Sequence, residues 1–170
     1  QVVSFRTGAQ FLAHTWVRAL NYYLPPDVAV KEAWPVSDVF DVRRDAVRRE
    51  YRYSILNNKV RSPFKVHYAY FFPHPLDIEA MSRASQGLEG EHDFASFTPV
   101  AVGNPKGTIR TVYEASVNRQ GDMVHFSMAA NSFLPHQIRH TVGALLKVGR
   151  GRLGVKEFEQ ITEARRPGLA

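Results

Sequence analysis

The stretch Arg43-Arg44-Asp45-Ala46-Val47-Arg48-Arg49-Glu50-Tyr51-Arg52-Tyr53 decides how the rest of the chain is read. From Val47 it alternates as a strand does, with successive side chains on opposite faces. Arg49, Tyr51, Tyr53 and Ile55 fall on one face, and Arg48, Glu50, Arg52 and Ser54 on the other. The first face joins cationic donors to flat rings, the pairing that holds a phosphate backbone and stacks an unpaired base. Between Arg43 and Lys65 there are eight basic residues and two acidic ones, a local excess equal to the +6 of the whole chain. The basicity is therefore a patch rather than a property of the whole surface, and it favours a nucleic-acid partner.

Length and composition set the outer bounds. The 170 residues suffice for one domain, or for one domain and part of another. A hydrophobic share of 44% and a charged share of 22% are those of an ordinary globular chain. With no cysteine there are no disulfides, thiolate metal sites or cysteine nucleophiles, which fits a reducing, cytoplasmic compartment. No apolar run approaches the ~20 residues of a membrane span, and no signal peptide is visible. The first residue is Gln1 rather than Met, and Val2-Val3-Ser4-Phe5 already reads as a strand. A domain seldom starts inside a strand, so a preceding segment is expected.

Working outward from the basic strand, which is expected over about 46–56, Val2–Arg6 reads as a strand. Ala9–Tyr23 reads as an amphipathic helix with Phe11, Leu12, Thr15, Trp16, Ala19, Leu20 and Tyr23 on one stripe. Leu24-Pro25-Pro26-Asp27 stops that helix, and Val28–Trp34 reads as a second strand. Residues 1–38 are thus expected to be the remnant of a preceding domain, and residues 39–170 a second domain. Downstream, Asn57-Asn58 marks a turn into a basic loop, and Val66–Phe72 reads as an aromatic strand. Asp77 should cap a helix running to about Leu88, and Gly90–Phe97 reads as a loop. Thr108–Asn118 and Asp122–Ala130 form a hairpin across Arg119-Gln120-Gly121. Helices follow over about Pro135–Val148 and Val155–Ala164. Strands and helices alternate irregularly with antiparallel hairpins, so the class is α+β.

Several constellations carry a sharp reading beside a bland one. Tyr51 and Tyr53 suit a core, but the interleaved arginines need partners and make a cleft wall an equal alternative for at least one ring. Arg139 flanks the buried stripe Ile138, Val142, Leu145 and Leu146. It reads either as a surface cation or as a bidentate partner for a carboxylate at a cleft. His136 and His140 have metal-ligand spacing, yet Gln137 stands where a zincin needs Glu, and no third ligand is evident; no metal is expected. Gly149, Gly151 and Gly154 spell G-x-G-x-x-G but follow a helix, so they read as a helix end rather than a dinucleotide site. His92-Asp93 with Ser96 or Ser132 lacks the spacing of a nucleophile elbow and reads as local loop bonding.

Together these residues resemble the bacterial tRNA pseudouridine synthase A family, nearly end to end. Gln1–Phe5 is similar to the strand after that family's catalytic loop, and Leu24–Val30 resembles its L-P-x-D-I-A-V segment. Phe40–Arg43 resembles F-x-A-R, and Arg49–Tyr53 resembles R-x-Y-x-Y. Leu88–Phe97 resembles L-x-G-x-H-D-F-x-S-F. Ala130–Arg139 with Val142-Gly143 resembles A-N-x-F-x-x-x-x-x-R followed by V-G.

The resemblance implies a mixed or antiparallel sheet with helices on one face, built from ferredoxin-like halves of which the N-terminal one is incomplete here. It implies isomerisation of uridine to pseudouridine in the anticodon stem-loop of tRNA, without cofactor, by a homodimer. By position, Tyr51 corresponds to the tyrosine that stacks on the target uracil, and Arg139 to the cation that pairs with the nucleophilic aspartate. Arg43 corresponds to an arginine near the flipped nucleotide. Arg49, Arg52 and His136 are the expected further RNA-binding residues. That aspartate lies in G-R-T-D-A-G-V-H, just before the segment matching Gln1. The 170 residues hold no such motif. The strand that follows the segment matching Arg166–Ala170 is also outside them. A non-catalytic RNA-binding domain is the competing reading, and a DNA-binding module a third, although no helix-turn-helix or zinc spacing occurs.

Overall fold

A computed structural model of the chain describes residues 1–99 and 107–170. It divides into two compact units, Gln1–Ala46 and Val47–Ala170.

In the first unit, α1 spans Ala13–Tyr23 and ends where Leu24 donates its N–H to the Leu20 carbonyl at 3.0 Å. The helix starts four residues later than its apolar stripe predicts. No residue of α1 is buried. The Trp16 ring meets Phe5 edge-on at 5.2 Å and Phe11 at 5.5 Å. The strands expected at Val2–Arg6 and Val28–Trp34 do not form. A strand is stabilised by its neighbours, and neither segment has a ladder partner among the described residues. Both backbone groups of Val30 go instead to the Asn21 amide, at 2.8 and 2.7 Å.

The second unit is built on a five-stranded sheet. Its strands are β1 (Arg49–Leu56), β2 (Tyr70–Phe71), β3 (Gly90–Asp93), β4 (Ile109–Gln120) and β5 (Met123–Ala130), in the order β2-β1-β5-β4-β3. Only the β1–β2 pair is parallel. Helices α2 (Ile78–Gln86), α3 (Gln137–Gly149) and α4 (Val155–Ala164) cover one face. Register explains which face. Ile55 lies opposite Val124, Tyr53 opposite Phe126, and Val117 also pairs with Phe126, so these side chains point the same way into the core. Ser54, His125 and Asn118 point the other way, to the open face. The architecture is thus α+β with a mixed sheet, as expected.

Local chemistry sets the element ends. The Asp77 carboxylate accepts the Ala80 N–H at 2.9 Å, which caps α2. Gly151, at φ 67°, turns the chain after α3, so the glycine triplet is a helix end and not a phosphate loop. Gly90–Asp93, read as loop from sequence, is a strand paired with β4. Its residues Gly-Glu-His-Asp have no apolar alternation to betray it. The 3₁₀ turn Phe94–Phe97 follows, wholly buried, with Phe97 against Phe94 at 5.9 Å and against Phe158 of α4 at 5.8 Å.

Two glycines of α3 make opposite predictions. A Cβ on Gly149 would stand 2.5 Å from the Met81 sulfur and 2.9 Å from Leu76 Cδ2, whereas a Cβ on Gly143 meets nothing within 4 Å. Gly149→Ala should therefore cost about 1–3 kcal/mol through overpacking of the α2–α3 contact. Gly143→Ala should raise stability by about 0.5–1 kcal/mol, the usual difference within a helix. Urea unfolding of both variants checks the pair.

Candidate functional site

The site is built around the segment that joins β5 to α3. Asn131 anchors it: its side-chain oxygen accepts the N–H groups of Thr111 (3.2 Å) and Ser132 (2.7 Å), and its own N–H goes to the Thr111 carbonyl at 3.0 Å. The Asn131 carbonyl accepts the Arg49 guanidinium at 2.7 Å. Two residues on, the Phe133 ring meets Tyr51 at 5.0 Å and 85°, an edge-to-face contact. Arg49 and Tyr51 share a face of β1 and are both tied to this segment.

Tyr51 is unusual among its strand neighbours. It points to the helix-covered face, as Tyr53 and Ile55 do, yet it is 50% exposed while Ile55 is fully buried. The rings thus separate into one that packs on the core, Tyr53, and one that is half open to solvent, Tyr51.

The segment then turns into α3. His136, exposed, sits at the N-cap with φ 61°. The buried Gln137 carboxamide oxygen takes the Leu134 N–H at 2.8 Å, and Thr98 donates its hydroxyl to the Pro135 carbonyl at 3.1 Å. These bonds fix where Arg139 leaves the first turn of the helix. Arg139, His140, Gly143, Lys147 and Ala170 line an open hollow along α3. Tyr51 is not one of its walls. Tyr51 and Arg139 are instead held near the two ends of one segment, residues 131–139.

The other expected residues fall elsewhere. Arg52 lies on the open face of the sheet, its Nε donating to the Ser127 hydroxyl at 3.4 Å. Arg48, on that same face, pairs with Glu114 at 3.0 Å. Arg43 belongs to the first unit, in a turn where the Asp41 carboxylate accepts the N–H groups of Arg43 (2.9 Å) and Arg44 (2.8 Å). The Arg44 and Arg43 N–H bonds hold the Asp41 carboxyl below its ordinary value. The His92-Asp93 pair is engaged locally, His92 with the Glu89 carbonyl and Asp93 with the Ala95 N–H, as its spacing implies. Among the described residues no cluster of His, Asp and Glu could hold a metal ion.

Sequence reasoning marked Phe133 only as a motif position, without its contact to Tyr51, and did not single out Lys147. The spacing of Arg139, Gly143 and Lys147 at four-residue intervals is a signal that could have found the second.

A family profile described as tRNA pseudouridine synthase matches residues 84–170. The chain belongs to that family. The match takes in the 131–139 segment, all of α3 and the 3₁₀ turn that braces it. Curated relatives cover the remainder. A protein of Burkholderia thailandensis named tRNA pseudouridine synthase A is 38% identical over 170 residues, all of this chain and 63% of the relative. One of Exiguobacterium with the same name is 39% identical over 165 residues, 97% of this chain and 66% of the relative. The chain spans less than two thirds of the length of these relatives. Among the described residues no helix is long and apolar enough to cross a membrane.

Proposed function

We propose that these residues are the RNA-facing part of a tRNA pseudouridine synthase that isomerises uridine to pseudouridine in an anticodon stem-loop. The observation that carries the reading is Tyr51, a ring on the core-facing side of β1 that is held edge-on by Phe133 and left half exposed. Such a ring is a platform for a base taken out of its stack, and chemistry on a base requires that extrusion.

The reaction conserves every atom of the nucleotide. The bond from the ribose carbon to N1 of uracil breaks, the base turns, and the same carbon bonds to C5. The C5 proton is lost and N1 gains one, so no redox partner or group donor is required. The roles proposed for this chain are supportive. Tyr51 stacks on the extruded uracil. Arg139 presents a permanent, planar cation to the attacking aspartate, favouring its ionised form. Arg49 and His136 hold phosphates beside the 131–139 segment, with Arg52 on the open sheet face, and Arg43, in the first unit, is a further RNA contact. The aspartate comes from sequence outside these 170 residues. The working protein is proposed to be a homodimer acting on tRNA in the cytoplasm.

The purified 170-residue chain should therefore form no pseudouridine on a tRNA transcript. The same chain, extended at its N-terminus with the aspartate-bearing segment of the Burkholderia thailandensis relative, should form it. Activity in the unextended chain would overturn the assignment of the nucleophile. An inactive but well-folded chimera would favour the competing reading, a non-catalytic RNA-binding domain.

A further inference from the structure

Residues 57–72, Asn-Asn-Lys-Val-Arg-Ser-Pro-Phe-Lys-Val-His-Tyr-Ala-Tyr-Phe-Phe, contain no acidic residue, three permanent cations and five aromatic rings. Its last residues include β2, paired with β1, and the rest is held by local bonds and by bonds to neighbouring parts of the chain. At its neck the Asn57 amide donates to the carbonyls of Phe72 (2.9 Å) and His74 (2.7 Å), and the Phe72 N–H goes to the Leu56 carbonyl at 2.9 Å. Asn58 donates its amide to Asp122 and takes the Val60 N–H. Beyond that, a 3₁₀ turn spans Pro63–Lys65, and Tyr68 and Ala69 both donate to the Lys65 carbonyl at 3.0 Å. Chain ends held close around a compact loop make an Ω-loop, a form that often carries function.

What this loop displays is unusual for a surface. Phe64 is 90% exposed and Tyr68 80% exposed, with Val60 and Val66 also open to solvent. Lys59 and Arg61 are exposed as well. Large rings left in water mark an interaction surface. The charge indicates what the partner is. A loop-to-loop contact with a second copy would set like charges against each other, and protein interface cores are depleted in lysine. Interleaved cations and flat rings instead match a single nucleic-acid strand, with phosphates on the cations and bases stacked on the rings.

We propose that residues 57–72 are a second RNA-docking surface, which takes unpaired nucleotides flanking the stem-loop, phosphates on Lys59, Arg61 and Lys65 and bases on Phe64 and Tyr68. It is separate from the Tyr51 platform. Five residue steps along β1, about 16 Å, lie between Tyr51 and the mouth of the loop at Leu56. The choice of RNA rather than DNA rests on the function proposed above; the loop's binding chemistry does not.

The test uses the 170-residue chain and two fluorescent RNAs, a blunt anticodon stem-loop and the same stem-loop with a short oligouridine tail. The parent should bind the tailed RNA about tenfold more tightly, within the range for stacking of one or two bases. The double variant Phe64→Ala/Tyr68→Ala should lose that gain and bind the blunt RNA as the parent does. Both rings lie on the surface, and circular dichroism confirms that the fold is kept. The triple variant Lys59→Gln/Arg61→Gln/Lys65→Gln should lower the salt dependence of tailed-RNA binding by about two units in log-log slope. An undiminished tail gain in the double variant overturns the proposal. So does a double variant that alters dimerisation in sedimentation but not tail binding, which would make the loop a protein contact. Failure of the Tyr51 reading looks different: Tyr51→Ala would then leave blunt-RNA affinity unchanged while the tail gain persists.

Discussion

Replacing Arg139 with alanine, in the chain extended by the aspartate-bearing segment of a relative, should lower turnover on tRNA by on the order of 10²–10³-fold, the usual loss when one positioned charge at a reacting centre is removed. The affinity for the same RNA should change by less than about tenfold, because Arg139 is one cation among several and the phosphate contacts are distributed. The asymmetry follows from geometry. The backbone of residues 134–137 is pinned by Gln137 and Thr98, so Arg139 departs from a fixed first turn of α3. In the role proposed for it, the Arg139 cation acts on the attacking carboxylate rather than adding general attraction. Arg139→Lys keeps the charge and loses the planar fork, so it should recover only part of the rate. Single-turnover kinetics with saturating enzyme separates the two quantities. A fall in affinity that accounts for the whole loss of rate would make Arg139 an RNA anchor and nothing more.

Phe158→Ala should destabilise the second unit by about 3–5 kcal/mol, the cost of emptying a fully buried aromatic site. Phe158 is 0% exposed and closes a row of rings, Phe94, Phe97 and Phe158, in which α4 meets the 3₁₀ turn. A domain of this size has only about 5–15 kcal/mol to lose. The damage also reaches the site. Ser96 in that turn accepts N–H groups from Arg166 and Ala170, and Thr98 beside it braces Pro135. Loosening the turn releases both the last residues of the chain and the entry to α3. Urea unfolding followed by far-ultraviolet circular dichroism measures the effect. Tryptophan emission reports the wrong unit, since Trp16 and Trp34 both precede residue 47. A loss below about 1 kcal/mol would mean that the row of rings does not close the core.

How far the sequence could be read depended on whether a residue's surroundings are local. The alternation of Arg49–Leu56, the cap at Asp77, the hairpin into Met123–Ala130 and the glycine end of α3 follow from neighbours in the chain, and the structure has them. The segments at Val2–Arg6 and Val28–Trp34 carry strand-forming residues but no ladder, because pairing is a property of a second segment that the alternation of one strand cannot supply. Gly90–Asp93 is the converse, a strand with no apolar pattern, created by its pairing with Ile109–Val112. The same limit applies at the site. Alternation put Tyr51 and Tyr53 on one face, but only the packing of α3 and the Phe133 ring shows that Tyr53 is half covered and Tyr51 stands open. Arg52, grouped with Arg49 by charge, is on the opposite face, as its parity in the strand requires.

The central claim is that Tyr51 is the platform for an extruded uracil, and base removal tests it most directly. Affinities of the parent chain and of Tyr51→Ala are measured for an anticodon stem-loop with the target uridine and for one with an abasic sugar at that position. Tyr51→Ala should lose about 1–3 kcal/mol on the intact RNA, the range for one stacked base. On the abasic RNA the two proteins should bind alike. An equal loss on both RNAs, or no loss on either, would contradict the account.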